Sequence, residues 1–167
     1  MSGPEEADLE AAASGLGEAL LAAQWTLTTA ESSTAGLIGH AITMIPGASR
    51  YYLGGVIAYS NLAKVMELGV PDELIATHGA VSAEVADAMA EGVRNRFDAD
   101  LAVAVTGIAG PDAGGSEKPI GLHFVAACRR GHPATVERHV FVHDREGNKV
   151  AAALAALELA RREIDAA

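Results

Sequence analysis

The sequence predicts an α/β fold, a three-layer α/β/α sandwich with a mixed, mostly parallel sheet of about five strands. Three observations lead to this class. Strand-like and helix-like runs alternate along most of the chain. Residues 101–105 are continuously apolar, which is typical of a strand covered on both faces and placed centrally in a sheet. Two late strand-like runs, 122–129 and 134–142, are joined by the turn RGHP and predict a hairpin.

The chain opens with a predicted helix, a strand and a second helix. Residues 5–23 carry alanine and leucine at the spacing of one amphipathic face. Residues 26–30 form a short β-branched strand, and residues 33–45 place apolar side chains on a helical stripe. A strand is therefore expected to run into a helix at Ser32 and Ser33.

The next predicted elements are a strand over 51–60 and a helix over 61–68. The paired glycines of that strand indicate a bulge or a close backbone approach. Pro71 suits the first turn of a further short helix. Ser82 is a good N-cap for the helix that ends near residue 97.

The remaining predicted elements are a long polar loop over 111–121 and a last alanine- and leucine-rich helix over 147–163. With 167 residues and 50% hydrophobic content, the chain is expected to form a single domain over 1–167 with an ordered core over 5–163.

Charge and composition exclude several classes of function. The net charge of -10 would repel a phosphate backbone, so nucleic-acid binding is not expected. The acidic N-terminus has no signal-like apolar region, which predicts a cytoplasmic protein without a membrane partner. Cys128 lies in an apolar run and is predicted to be a buried structural thiol.

Polar clusters follow three of the predicted strands, where ligands bind in open α/β sheets. The first strand ends in Glu31, Ser32, Ser33 and Thr34. The second ends in Tyr59, Ser60 and Asn61, with Lys64 one helical turn further on, and the third ends in Thr106, Gly107, Ile108, Ala109, Gly110 and Pro111. These clusters are expected to converge at one edge of the sheet.

The serines allow two interpretations. Ser33 and Thr34 are good helix caps, so both could be structural. Ser32 could instead be a nucleophile with Lys64 as its base, provided that burial keeps the lysine neutral. Tyr59 could orient the lysine or pass a proton, or be an ordinary half-buried tyrosine.

The glycine-rich segment 107–115 could present backbone amides to an anion or could simply be a turn. Arg145 could bind a phosphate, or be a surface charge. The histidines show no metal-binding spacing, so no metal is expected.

Four motifs, TTAESSTAG, GGVIAYSNLAK, HGAVSAEVADAMAEG and AVTGIAGPDAGGSEKPIG, occur in an order that resembles the CinA C-terminal domain family. The resemblance runs from about residue 10 to residue 162. Members of that family include nicotinamide-nucleotide amidases. The resemblance implies hydrolysis of the carboxamide of nicotinamide mononucleotide to nicotinate mononucleotide and ammonia, with no cofactor, and a homo-oligomer of two or more chains.

The resemblance also implies roles for individual residues. The proposed nucleophile of the family falls on Ser32, and its proposed partners fall on Tyr59 and Lys64. Substrate contacts are expected from a larger group of residues near the strand ends, namely Glu31, Ser33, Thr34, Gly36, Asn61, Thr106, Gly107, Ile108, Ala109, Gly110 and Arg145.

Three positions depart from the family pattern. Ser33 stands where cysteine is usual, which leaves open which of the two serines attacks. Ala35 stands where the first glycine of a pair is usual, and His143 replaces a frequent glycine before Asp144 and Arg145. The alternative function is a nucleotide-binding or regulatory module that keeps the pocket without turnover, and a further one is an oligomeric scaffold.

Overall fold

A computed structural model of the chain describes residues 5–167. The first four residues lie outside the described residues. They belong to the acidic N-terminal stretch from which a cytoplasmic protein is predicted. In chain order the elements are α1 (Glu6–Ala23), β1 (Leu27–Glu31), α2 (Leu37–Thr43), a 3-10 turn (Ala48–Arg50), β2 (Tyr52–Ile57), α3 (Asn61–Leu68), α4 (Asp72–His78), α5 (Ala83–Phe97), β3 (Leu101–Gly107), β4 (Leu122–Arg129), β5 (Thr135–Val140) and α6 (Arg145–Asp165).

The strands form one mixed sheet in the order β2-β1-β3-β4-β5. β1 pairs in parallel with both β2 and β3, while β4 and β5 join as an antiparallel hairpin. The apolar run 101–105 lies in β3, the middle strand, as its composition predicts. The parallel arrangement brings the ends of β1, β2 and β3 to the same edge of the sheet.

Two helical layers cover the sheet, which confirms the predicted α/β/α sandwich. Side chains alternate along β3 because successive residues of a strand face opposite sides. Val103 and Val105 pack in the core formed with α1, α2 and α6. Ala102 and Ala104 pack in the second core, mainly against α5.

Strand β2 confirms both predictions made from its glycines. The pairing with β1 skips Leu53, which is a bulge, and Gly54 next to it has a φ of +133°. A Cβ atom on Gly55 would lie 2.1 Å from Oγ1 of Thr29, so the strands approach too closely there for any side chain. The strand is shorter than predicted because the chain leaves the edge of the sheet after Ile57.

Several helix boundaries follow local capping chemistry. Ser82 caps α5 as predicted, since its hydroxyl accepts from the amide of Val85. Pro71 is the N-cap of α4 and not part of its first turn. The last helix begins at Arg145, two residues before the predicted start, because the carboxylate of Asp144 accepts from the amide of Gly147.

Two predictions from composition can be compared with the described chain. Cys128 is a buried free thiol, as expected for a structural cysteine. Among residues 5–167, no helix has the length and apolarity needed to cross a membrane.

Candidate functional site

A tight turn separates β1 from α2, and this corrects the prediction of a helix that begins at the serines. Helix α2 starts only at Leu37, with Gly36 in the N-cap position. Neither Ser33 nor Thr34 caps it, so the expected capping role is wrong for both. Residues 32–36 form the link between strand and helix.

The carboxylate of Glu31 replaces the missing cap. It accepts hydrogen bonds from the amides of Gly36, Ile38 and Gly39 at 2.9, 3.1 and 2.9 Å, and from the hydroxyl of Thr34 at 2.7 Å. A negative charge at this place also complements the positive end of the helix. Glu31 is buried and fully engaged, which fixes the turn that carries the serines.

Ser32 and Lys64 meet at the edge of the sheet. The Nζ atom of Lys64 lies 2.9 Å from Oγ of Ser32, although the residues are 32 positions apart in the chain. Ser32 is placed by the end of β1, where its amide donates to the carbonyl of Val105. Lys64 lies in the first turns of α3, which directly follows the neighbouring strand.

Lys64 is 2% exposed, which is rare for a lysine. Its Nζ also donates to the carbonyls of Ala58 and Tyr59 at 3.1 and 3.2 Å. Burial lowers the pKa of Lys64 from 10.5 to about 8, because the charged form loses its hydration. An amine with this pKa is partly neutral near physiological pH and can accept a proton.

Ser33 has no comparable partner. Its Oγ atom is buried and makes no hydrogen bond to any described residue. A serine hydroxyl is a weak nucleophile unless a base stands beside it. The geometry therefore distinguishes the two adjacent serines, since only Ser32 contacts the lysine.

Tyr59 presents different atoms to two neighbours. Its carbonyl accepts from Lys64, whereas its hydroxyl accepts from the guanidinium of Arg145 at 3.3 Å. The side chain is 61% exposed. Arg145 also donates to the carbonyl of Gly110, so one arginine joins the ends of β2 and β3.

These groups line a cavity of about 340 Å³. Of the residues predicted from the sequence, those in its lining are Ser32, Ser33, Tyr59, Asn61, Lys64, Thr106, Gly107, Ile108, Ala109, Gly110 and Arg145. Three other predicted contacts, Glu31, Thr34 and Gly36, are not in the lining and belong to the turn described above.

The last residue of β3 and the turn that follows it, together residues 107–110 and here called the glycine turn, form another wall of the cavity. A Cβ atom on Gly107 would lie 2.0 Å from Cδ2 of the buried His123, so glycine is required at this place. Burial lowers the pKa of His123, and its Nδ1 lies 2.9 Å from the carbonyl of Gly121. Thr106 donates to the carbonyl of Ala80 and ties the end of β3 to the segment before α5.

Sequence reasoning missed several groups that shape the cavity. The backbone carbonyls of Ala58 and Tyr59, which accept from Lys64, could not be identified from the sequence because every residue has a backbone carbonyl. Lys118 donates to the carbonyls of His78 and Val81 and so fastens the polar loop 111–121. Asn148 is buried inside α6, and a polar side chain of low helix propensity at such a place is the signal that could have found it.

No group of three or more His, Cys, Asp or Glu side chains within residues 5–167 is arranged to hold a metal ion.

Comparisons with known proteins agree on one family. The family model for the CinA C-terminal domain matches residues 9–164. A CinA-like protein of Salinibacter ruber is 50% identical in an alignment of 151 residues that covers 89% of this chain and 36% of that protein. The chain thus spans a little over a third of the length of the curated relatives it matches.

Solved structures give the same result. A crystal structure of a CinA superfamily protein from Klebsiella pneumoniae 700603 has a TM-score of 0.92 and 31% identity, covering 95% of this chain and 99% of that one. The competence/damage inducible protein CihA from Agrobacterium tumefaciens has a TM-score of 0.87 and 38% identity, covering 95% of each chain. With a family model that matches nearly its whole length and relatives at about half identity, this chain belongs to the CinA C-terminal domain family.

Proposed function

We propose that this chain is an amidohydrolase that converts nicotinamide mononucleotide to nicotinate mononucleotide and ammonia. Ser32 is the nucleophile and Lys64 its general base. The observation that carries the proposal is the 2.9 Å contact between Lys64 Nζ and Ser32 Oγ in a cavity that also contains Arg145.

Two backbone carbonyls accept hydrogen bonds from Lys64, and this number matches the two N–H bonds of a neutral amine, the form that can act as a base. A neutral amine has two N–H bonds and one lone pair. If the N–H bonds point to the carbonyls of Ala58 and Tyr59, the lone pair is left for the hydroxyl of Ser32. The same three contacts also suit a charged ammonium with three donors, so the pair can hold the proton that it takes.

The reaction follows in two stages. The Ser32 hydroxyl passes its proton to Lys64 while Oγ bonds to the carboxamide carbon, and backbone amides at the cavity wall face the developing oxyanion. Lys64 then returns the proton to the amide nitrogen as the carbon–nitrogen bond breaks, which releases ammonia. Water hydrolyses the acyl-enzyme by the same route and frees Ser32.

Arg145 is proposed to bind the phosphate of the mononucleotide. A guanidinium has five N–H bonds, and the contacts to Gly110 and Tyr59 use two of them. The others can donate to phosphate oxygens in the bidentate geometry that arginine favours. A local cation can hold this ligand in spite of the net charge of -10, because the contact is short-ranged.

The test is ammonia release from nicotinamide mononucleotide by three variants. Ser32→Ala and Lys64→Arg should each lose activity by a factor of about 1,000 or more, since a guanidinium stays charged and cannot act as the base. Ser33→Ala is the matched control and should keep most of the activity. Activity that disappears only with Ser33→Ala, or survives in Lys64→Arg, would refute the assignment.

One observation favours the second candidate, a nucleotide-binding module without turnover. The hydroxyl of Tyr59 faces Arg145 and not the Ser–Lys pair, so proton transfer through Tyr59 would require this hydroxyl to move. Binding of the mononucleotide without any ammonia release, measured on the unmodified chain, would select this candidate.

Self-association is also proposed, and the surface for it is not the alanine-rich faces of the two terminal helices. The alanine-rich faces of α1 and α6 are buried in the same core of the chain. Exposed apolar side chains lie elsewhere, at Leu53 and Ile57 on the edge strand β2 and at Leu62 and Met66 on α3. Size-exclusion chromatography with light scattering would measure the oligomeric state. A monomer at every protein concentration tested would refute this expectation.

A further inference from the structure

Asn148 links the start of α6 to the glycine turn of the cavity. The residue is 0% exposed. Its Nδ2 donates to the carbonyl of Ala109 at 2.9 Å, and its Oδ1 accepts from the amide of His143 at 3.1 Å. Both ends of the side-chain amide are therefore satisfied, and its orientation is set by two fixed backbone groups.

This contact determines the orientation of the peptide between Ala109 and Gly110. In a trans peptide the C=O and N–H bonds point in opposite directions. Because the carbonyl of Ala109 points at the Asn148 side chain, the amide N–H of Gly110 points away from that side chain. Among the described residues, no backbone or side-chain group accepts from this N–H. Ala109 and Gly110 line the cavity, whereas Asn148 does not.

The same turn is held a second time at the next carbonyl. Arg145 donates to the carbonyl of Gly110, so consecutive carbonyls are bound by two residues of the first turn of α6. Gly110 has a φ of +95°, which a glycine adopts without strain. The backbone is thereby fixed, and the cavity lining contains both Gly110, whose N–H group has no acceptor among the described residues, and Arg145, which has unused donors.

We propose that Asn148 is a positioning residue that holds the Gly110 amide as a donor to the phosphate of the bound mononucleotide, next to Arg145. This inference rests on the proposed function. A rigid N–H group and a guanidinium in the lining of one cavity can form a site that is complementary to phosphate oxygens. Without Asn148 the peptide can rotate, and the amide no longer faces the ligand.

The experiment compares the affinity for nicotinamide mononucleotide with that for nicotinamide riboside, which lacks the phosphate. Ser32→Ala serves as the background, so that no turnover occurs. Asn148→Leu is neutral and similar in shape, and it should weaken mononucleotide binding about tenfold or more while changing riboside binding less than about twofold. Thr28→Val is the matched control, since it also removes a donor of a buried side chain to a backbone carbonyl, that of Gly54, away from the cavity.

A second measurement does not depend on any variant folding. The amide signal of Gly110 in the 17.1 kDa chain should shift in two-dimensional NMR on addition of mononucleotide and stay unchanged with riboside. Equal losses for the two ligands in Asn148→Leu, or a Gly110 signal that ignores the mononucleotide, would overturn the role of Asn148.

The outcomes separate this inference from the proposed function. Ammonia release by the unmodified chain without a Gly110 shift would overturn the role of Asn148 and leave the amidase. A Gly110 shift with the mononucleotide and a mononucleotide-selective loss in Asn148→Leu, but no ammonia release, would overturn the amidase and support the role of Asn148. A chain that neither binds nor hydrolyses the mononucleotide would overturn both.

Discussion

Titration of the buried amine of Lys64 should change both the proposed activity and the stability of the protein as pH is varied. With a pKa of about 8, roughly one-tenth of the molecules carry the neutral amine at pH 7 and half at pH 8. If the neutral form is the base, kcat/KM should rise about tenfold between pH 7 and pH 9 and level off above that. The assay is ammonia release across this range.

Stability should follow the same group in a definite direction. The folded-state pKa is lower than the unfolded value, so the unfolded chain binds more protons between about pH 8 and 10.5. The folded protein therefore gains stability as pH rises through this window, and the gain is absent below the folded-state pKa. A shift from 10.5 to about 8 corresponds to about 3 kcal/mol, of which about 2 kcal/mol should appear between pH 8 and pH 10.

Lys64→Met isolates this effect, because it removes the titrating group and keeps the length of the side chain. The difference in free energy of unfolding between wild type and Lys64→Met should change by about 2 kcal/mol from pH 8 to pH 10, in favour of wild type. Lys118→Met is the matched control. Lys118 also donates to two backbone carbonyls but is partly exposed, so Lys118→Met removes a lysine with similar contacts and leaves the buried amine of Lys64 in place.

Two results would refute this reasoning. A kcat/KM that is flat from pH 7 to pH 9, in an active enzyme, would mean that the neutral amine is not the base. A constant stability difference for Lys64→Met would mean that burial does not shift the pKa of Lys64. Urea unfolding at each pH measures the second quantity without any substrate.

Three further predictions concern Glu31 in the turn after β1, Gly107 in the wall of the cavity, and Tyr59. Glu31→Gln should cost about 2–4 kcal/mol in urea unfolding, because the carboxylate accepts four hydrogen bonds, whereas the exposed Asp8→Asn should change stability by less than about 1 kcal/mol. Gly107→Ala should destabilise by at least about 2 kcal/mol through its clash with His123, and the double variant with His123→Ala should recover part of that loss; no recovery would contradict this cause. Tyr59→Phe should raise KM for the mononucleotide by less than about tenfold and leave kcat within about threefold, since the hydroxyl contacts Arg145; a hundredfold fall in kcat would instead indicate proton transfer.

The sheet and the place of the site could be predicted because they follow from strong, repeated signals. A short continuous apolar run is typical of a covered strand, and β3 is indeed the central strand. The limits of α3 over 61–68 agree with the sequence because Ser60 caps the helix and Gly69 ends it. Since parallel strands end at one edge, the polar residues after β1, β2 and β3 had to converge there.

Local capping preferences predicted the turn after β1 wrongly because the side chain of the last strand residue, Glu31, overrides them. Ser33 and Thr34 are good caps by type, yet the carboxylate of Glu31 already occupies the amides at the start of α2. The direction of the Tyr59 hydroxyl could not be predicted for a related reason. It depends on Arg145, 86 residues away, and no local pattern encodes this distance.

The choice between the two serines shows how stability and chemistry are joined in this fold. Glu31 holds the turn from one side, and the amide of Ser32 is held by Val105 from the other. These two contacts leave the Ser32 hydroxyl at the edge of the sheet. Lys64, on the helix α3 that follows β2, contacts it there. The hydroxyl of Ser33, one residue later, is buried and has no hydrogen-bond partner among the described residues. The backbone of the turn thus determines which serine contacts the lysine, so a change that loosens Glu31 should reduce the proposed ammonia release even though Glu31 is not in the lining of the cavity.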